Sequence, residues 1–218
     1  KKDETQHIIQ GKITTSMLKL LNIRTCVIRN KKNLQQLSKL ISYSKKKNRP
    51  VACLIENGTL ITKKKNINKK ANNFGVSRAY VLEKILKNLK KNTNIISTTG
   101  YTSRELYQIR KNEKIIKGKD FYMVGAMGHS SMVALGSSLH SKNHTLCLDG
   151  DGAILMHLGA LSLSGNLANK NFKHIILNNS SHESVGGQKT LAEKIDFKSL
   201  SYSLGYKKYY LALKKSIF

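Results

Sequence analysis

One stretch constrains the fold more than any other. Thr145-Leu-Cys-Leu-Asp-Gly-Asp-Gly-Ala153 is a short apolar run that stops at an acidic, glycine-rich turn and gives way to Ile154-Leu-Met-His-Leu-Gly-Ala-Leu161. The pattern predicts strand, tight turn, helix. A second apolar run, His174-Ile-Ile-Leu177, ends in Asn178-Asn179, so Asp151 and Asn179 lie 28 residues apart, the length of a βαβ unit with its crossover helix. Parallel strands point the same way, and open α/β sheets bind ligands beyond the carboxyl ends of their strands. Asp151 and Asn179 are therefore expected to converge on one ion or ligand.

Composition narrows the remaining classes. The 218 residues are 39% apolar, enough for a packed core. Cys26, Cys53 and Cys147 sit singly in apolar runs without CxxC spacing, which favours buried thiols over disulfides or zinc. No apolar run approaches the roughly 20 residues needed to span a bilayer, so a cytoplasmic protein is expected. Lys and Arg number 39 against 12 Asp and Glu, a formal charge of +27 that raises a basic nucleic-acid-binding module as a rival reading. The lysines come with asparagine and isoleucine, as in Lys63-Lys-Lys-Asn-Ile-Asn-Lys-Lys70, and read as solvated faces instead, which points away from nucleic acid.

In chain order, Ile13 to Leu21 reads as a short helix capped by Thr14, Thr15 or Ser16, followed by a strand at Thr25 to Ile28. Leu34, Leu37, Leu40 and Ile41 fall at helical spacing, and Pro50 precedes a buried strand, Val51 to Ile55. Residues 57 to 75, rich in Lys, Asn and Gly, form the expected linker region, with its core at 61–72. Ser77 caps a helix through Leu89, and strands follow at Asn94 to Thr98 and Phe121 to Val124, with Ser103 as a cap for Arg104 to Arg110 between them. Met132 to Leu139 is a helix. Ser180 to Gln188 reads as irregular, and a last helix runs from Phe197 to Leu204. The fold class is α/β.

The turn Asp149-Gly-Asp-Gly152 admits several chemistries. An EF-hand loop needs oxygen ligands where Ala153 and Ala160 stand. A Walker A loop needs Gly-Lys-Ser/Thr, and a Rossmann fingerprint needs a third glycine; neither is present. A plain turn before a helix accounts for the glycines but not for the carboxylate paired with Asn-Asn. A diphosphate held through magnesium accounts for all of it: Asp151 offers a carboxylate, Asn179 an amide oxygen and Ser181 a main-chain carbonyl, all hard oxygen ligands. Gly152 would let phosphates approach the backbone at a helix N-terminus.

Gly150-Asp-Gly152, 25 intervening residues and Asn178-Asn179 resemble the cofactor motif of thiamine diphosphate enzymes. Thr98 to Tyr107, Gly125-Ala-Met-Gly-His129, Leu148 to Leu158 and Asn178 to Gln188 narrow the resemblance to the phosphonopyruvate decarboxylase family. Several consequences are implied by this resemblance. Residues 1–60 would be the C-terminal part of a pyrimidine-binding domain, and 73–218 a diphosphate-binding domain with the thiamine diphosphate-binding fold, a parallel sheet flanked by helices. Asp151, Asn179 and Ser181 would hold magnesium. Gly128, His129, Gly152 and Ala153 would touch the diphosphate, Gly125 and Gly150 would belong to the same cofactor site, Met127 would wedge beneath the thiazolium ring, and His129 and His182 would be the catalytic candidates, in contact with substrate or cofactor. The substrate would be 3-phosphonopyruvate, with sulfopyruvate as the rival, and the assembly a homodimer or higher oligomer through contacts between the two kinds of domain. The glutamate that such enzymes place beside the pyrimidine ring has no match here, since Glu4 and Glu56 stand elsewhere; together with the opening Lys1-Lys-Asp-Glu, this reads as a piece of a longer protein. Ser180 stands where the family usually has glycine, which matters if φ is positive there.

Overall fold

A computed structural model describes residues 7–61 and 75–213. The chain divides into two compact units, Lys1–Lys69 and Lys70–Phe218. The expected linker at 61–72 lies, but for Ile61, outside the described residues, as does Glu4.

The first unit runs α1 (His7–Leu20), β1 (Arg24–Ile28), α2 (Leu34–Lys47) and β2 (Val51–Ile55). β1 and β2 pair in parallel with Cys26 opposite Cys53, and α2 is the crossover. Leu40 of α2 is buried with Cys26 and Ile28, and Leu37, Val51 and Cys53 pack against them. Asn48 takes the left-handed conformation that ends α2. The sequence misplaces α1, which begins at His7, six residues before the expected helix start at Ile13, and buries none of its residues. Ile9, Ile13, Met17 and Leu20 share one face of this helix, and all four stay exposed.

The second unit holds α3 (Arg78–Lys87), β3 (Thr93–Ser97), α4 (Tyr101–Glu113), β4 (Lys119–Tyr122), α5 (Ser130–His140), β5 (His144–Gly150), α6 (Asp151–Met156), α7 (Ala160–Leu167), β6 (Phe172–Leu177), β7 (Ser181–His182), β8 (Gln188–Lys189) and α8 (Phe197–Ser203). Four strands form one parallel sheet in the order β4-β3-β5-β6. Alternation along the strands sends side chains to both faces. Ile95, Leu146 and Leu148 pack with Leu82, Leu86 and Leu106 of α3 and α4, while Ile96 and Cys147 pack with Ala134 of α5. Both faces are thus covered by helices, which is why Ile95-Ile96 and Leu146-Cys147-Leu148 are apolar at consecutive positions rather than at every second one. Among the described residues no helix is long and apolar enough to cross a membrane, and the three cysteines are unpaired.

Several local expectations give way. The turn at Asp149 to Gly152 does not exist as a separate element: β5 runs through Gly150 and α6 starts at Asp151. Neither glycine has positive φ. The helix expected over Ile154 to Leu161 is two helices, interrupted where His157 leaves helical geometry at φ −137°. Ser103 lies inside α4, not at its start; its hydroxyl donates to the Thr98 carbonyl at 2.7 Å and lies 2.6 Å from the Ser97 hydroxyl. Residues 180–188 are partly regular, because β7 and β8 form a small antiparallel hairpin with Ser181 opposite Lys189.

Candidate functional site: a cleft at the switch point of the sheet

The chain leaves β3 toward β4 on one side and returns to β5 on the other, so the strand order reverses between β3 and β5. A crevice opens outside the carboxyl ends of the strands at such a reversal. The Thr98 N–H donates to the Leu148 carbonyl at 2.8 Å and holds the two strand ends together. Beyond them lies a cleft lined by Thr98, Thr99, Tyr101 and Thr102 after β3, by Gly150 to Ala153 at the end of β5, and by Leu177, Asn179 and Ser181 to Ser184 after β6, with Arg78 and Met127 completing the wall.

This cleft gathers Met127, Gly150, Asp151, Gly152, Ala153, Asn179, Ser181 and His182 from the residues singled out in the sequence. Gly125, Gly128 and His129 are not among its lining residues. Gly128 is instead a packing glycine: at φ +90°, a side chain there would meet the Ala153 carbonyl at 2.9 Å and the His157 ring at 2.6 Å. His129 is exposed and lies against His157, with ring centroids 4.2 Å apart and the planes tilted by 54°. Gly152 also serves a neighbour rather than its own backbone. The space beside its Cα holds the His182 ring, whose Cε1 would lie 2.5 Å from an added Cβ. Gly150 has open space on the same measure.

Asp151 is buried, with 2% of its surface exposed. Its Oδ2 accepts a hydrogen bond from the Thr190 hydroxyl at 2.5 Å. Among the described residues no cationic side chain pairs with it. A buried carboxylate in that position is costly unless a charge compensates it. Arg78 lines the same cleft but is engaged elsewhere: it forks onto Glu105 at 2.7 and 3.0 Å and reaches Glu183 at 3.0 Å. Burial opposes its charge, yet the hydrogen bonds and charges of these two carboxylates outweigh that and raise its pKa above the ordinary value. Asn179 donates from Nδ2 to Glu183 at 3.3 Å and accepts at Oδ1 from the Ser181 N–H at 3.1 Å. The donors that face the cleft are thus a carboxylate, an amide and main chain, a hard-oxygen set suited to magnesium and unsuited to soft metals.

Asp149, two residues earlier, is buried and does not line the cleft. Its Oδ2 lies 3.4 Å from His174 Nε2, and neither atom has a hydrogen-bond partner. His174 Nδ1 meets the Tyr206 hydroxyl at 2.9 Å. With Cys147 they form the one group of His, Cys and acidic side chains among the described residues close enough to share an ion. Burial pushes the Cys147 thiol well above its usual range, which favours the protonated form, a poor metal ligand.

Sequence reasoning missed Arg78, Glu183 and Thr190 as site residues. Glu183 lay within the quoted stretch after Asn179, but nothing local marks Arg78 or Thr190, whose partners are 105 and 39 residues away.

The chain is 40% identical over 131 residues to a phosphonopyruvate decarboxylase of Streptomyces viridochromogenes, covering 60% of this chain and 32% of that one. It is 40% identical, again over 131 residues, to the phosphonopyruvate decarboxylase of Streptomyces hygroscopicus, covering 60% and 31%. Against the sulfopyruvate decarboxylase subunit beta of Methanocaldococcus jannaschii it is 39% identical over 113 residues, covering 52% and 57%. The chain therefore spans about a third of the length of these phosphonopyruvate decarboxylases and somewhat more than half of that subunit. Residues 95–216 match the C-terminal TPP binding domain of thiamine pyrophosphate enzymes, and by that match over more than half its length the chain belongs to the thiamine pyrophosphate enzyme family.

Proposed function

We propose that the second unit is the diphosphate-binding domain of a thiamine diphosphate-dependent decarboxylase acting on 3-phosphonopyruvate, and that the first is the C-terminal part of a pyrimidine-binding domain. The observation that carries this reading is the buried, uncompensated Asp151 carboxylate at the switch point, beside Asn179 and Ser181. Magnesium and a diphosphate would supply the missing positive charge and the remaining oxygen ligands.

In this reading Asp151, Asn179 and the Ser181 carbonyl hold the cation. Gly150 leaves room for the diphosphate, and Met127 stands in the cleft wall as the apolar support for the thiazolium ring. Once bound, the cofactor serves as the electron sink for loss of carbon dioxide from a 2-oxo acid. The chain's own residues bind and orient it. Glu183, Arg78 and Thr190 hold the ligand side chains, and the covered sheet excludes water from behind. The proposed product is phosphonoacetaldehyde, in phosphonate biosynthesis, and the proposed assembly is a homo-oligomer in which the two kinds of domain meet across subunits.

The sulfopyruvate relatives give a second reading, since the two substrates differ only in the anionic head group. Calorimetric titration of thiamine diphosphate into the chain, with and without magnesium, followed by competition between 3-phosphonopyruvate and sulfopyruvate, tests both. Magnesium-dependent cofactor binding with preference for 3-phosphonopyruvate is expected. Preference for sulfopyruvate would transfer the assignment to the second reading, and no cofactor binding at all would refute both.

A further inference from the structure

An asparagine can ligate a cation only through its oxygen, and its amide has two nearly isosteric orientations. At Asn179 the neighbours choose between them. Nδ2 donates to Glu183 Oε2 at 3.3 Å, and Oδ1 accepts from the Ser181 N–H at 3.1 Å. Turning the amide over would set the Ser181 N–H against an NH2 group and the carboxylate against the amide oxygen, two repulsive contacts in place of two hydrogen bonds. Glu183 does not stand alone. The same Oε2 accepts from Arg78 Nη1 at 3.0 Å, while Nε and Nη2 of Arg78 fork onto Glu105 at 3.0 and 2.7 Å. The guanidinium is thereby fixed on α4 and presents one nitrogen to the loop after β6. Its side chain is 19% exposed, against 50% for Glu183, so the anchor is the more buried partner.

We propose that Arg78 and Glu183 are positioning residues that set the Asn179 amide oxygen-first for a hard cation in the cleft. The inference rests on the magnesium reading above. It assigns Arg78 a task other than binding an anionic substrate: its three nitrogens are spoken for by carboxylates. It also explains why an arginine whose charge is already matched by Glu105 reaches a second acid, since Glu183 without Arg78 would be an exposed side chain free to leave the amide. Thr190 does the corresponding work at Asp151, whose Oδ2 accepts a hydrogen bond from the Thr190 hydroxyl.

The decisive variants are Glu183→Leu, Arg78→Met, Asn179→Asp combined with Glu183→Leu, and Asp151→Asn as a control. The readouts are Mn2+ affinity in the presence of thiamine diphosphate, from the electron paramagnetic resonance signal of free Mn2+, and the thermal midpoint without ligands. Glu183→Leu and Arg78→Met are each expected to weaken Mn2+ binding between about 10- and 100-fold, the range for losing a hydrogen bond to a charged group. Adding Asn179→Asp to Glu183→Leu should restore binding, because a carboxylate presents oxygen in either orientation. A loss of packing alone would not be rescued in this way. Unchanged Mn2+ affinity in Glu183→Leu, or no recovery in the double variant, would overturn the proposal while a loss in Asp151→Asn kept the cation site standing. Unchanged affinity in Asp151→Asn would remove the site and the proposal together. Should Arg78→Met fail to fold, the Glu183 pair decides the matter.

Discussion

Replacing Gly152 by alanine places a methyl carbon 2.5 Å from Cε1 and 2.6 Å from Nδ1 of the His182 ring, with Thr190 Cγ2 at an ordinary 3.4 Å. The backbone itself raises no objection: Gly152 lies within α6 and is not at positive φ. In a helix alanine is favoured over glycine by about 1 kcal/mol. The imidazole must therefore be displaced, an overpacking cost of about 1–3 kcal/mol. The single variant should be between neutral and about 2 kcal/mol destabilised, too wide a range to be diagnostic alone. The double-mutant cycle is sharper. In a His182→Ala background the obstruction is gone, and Gly152→Ala should stabilise by the helix preference of about 1 kcal/mol. Urea denaturation of the four proteins should give a coupling of about 1–3 kcal/mol, whereas additivity within about 0.5 kcal/mol would show that the ring does not occupy that space.

Ser180 has φ +53°, so Ser180→Gly should stabilise the chain by about 1 kcal/mol through relief of left-handed strain, read as a higher urea midpoint. Ser77 caps α3 by accepting from the Tyr80 N–H at 3.2 Å, and Ser77→Ala should cost about 1 kcal/mol in the same assay. Leu148 is fully buried in the centre of β5 among Leu82, Leu86 and Leu106, so Leu148→Ala should cost about 2–5 kcal/mol, with loss of the thermal transition near physiological temperature as the upper extreme.

The parallel sheet was legible because both of its faces are covered: consecutive apolar residues at 95–96, 146–148 and 175–177 have few other uses in an α/β chain. Their ends shift by a residue or two since pairing register, not composition, decides where a ladder stops. The break at His157 was not legible, as Ile154 to Leu161 keeps an apolar pattern across it. Ser103 misled for a physical reason: a serine near a helix start suggests a cap, but this hydroxyl turns back to the end of β3. At the site, Asp151 and Asn179 could be read from chemistry and spacing. The purpose of the glycines could not. Gly152 answers to a ring 30 positions later and Gly128 to the backbone of α6, long-range contacts that look like loop flexibility in one dimension. The partners Arg78 and Thr190 were hidden likewise, for a side chain that acts on another from a distant element carries no local motif.

Everything proposed for the cleft depends on Asp151 at the switch point holding a cation that in turn holds a diphosphate. Isothermal titration of thiamine diphosphate into the wild-type chain and into Asp151→Ala, each with magnesium and with EDTA, tests it most directly. Binding to the wild type that disappears with EDTA is expected, and none to Asp151→Ala under either condition. Equal, magnesium-dependent binding by both proteins would contradict it.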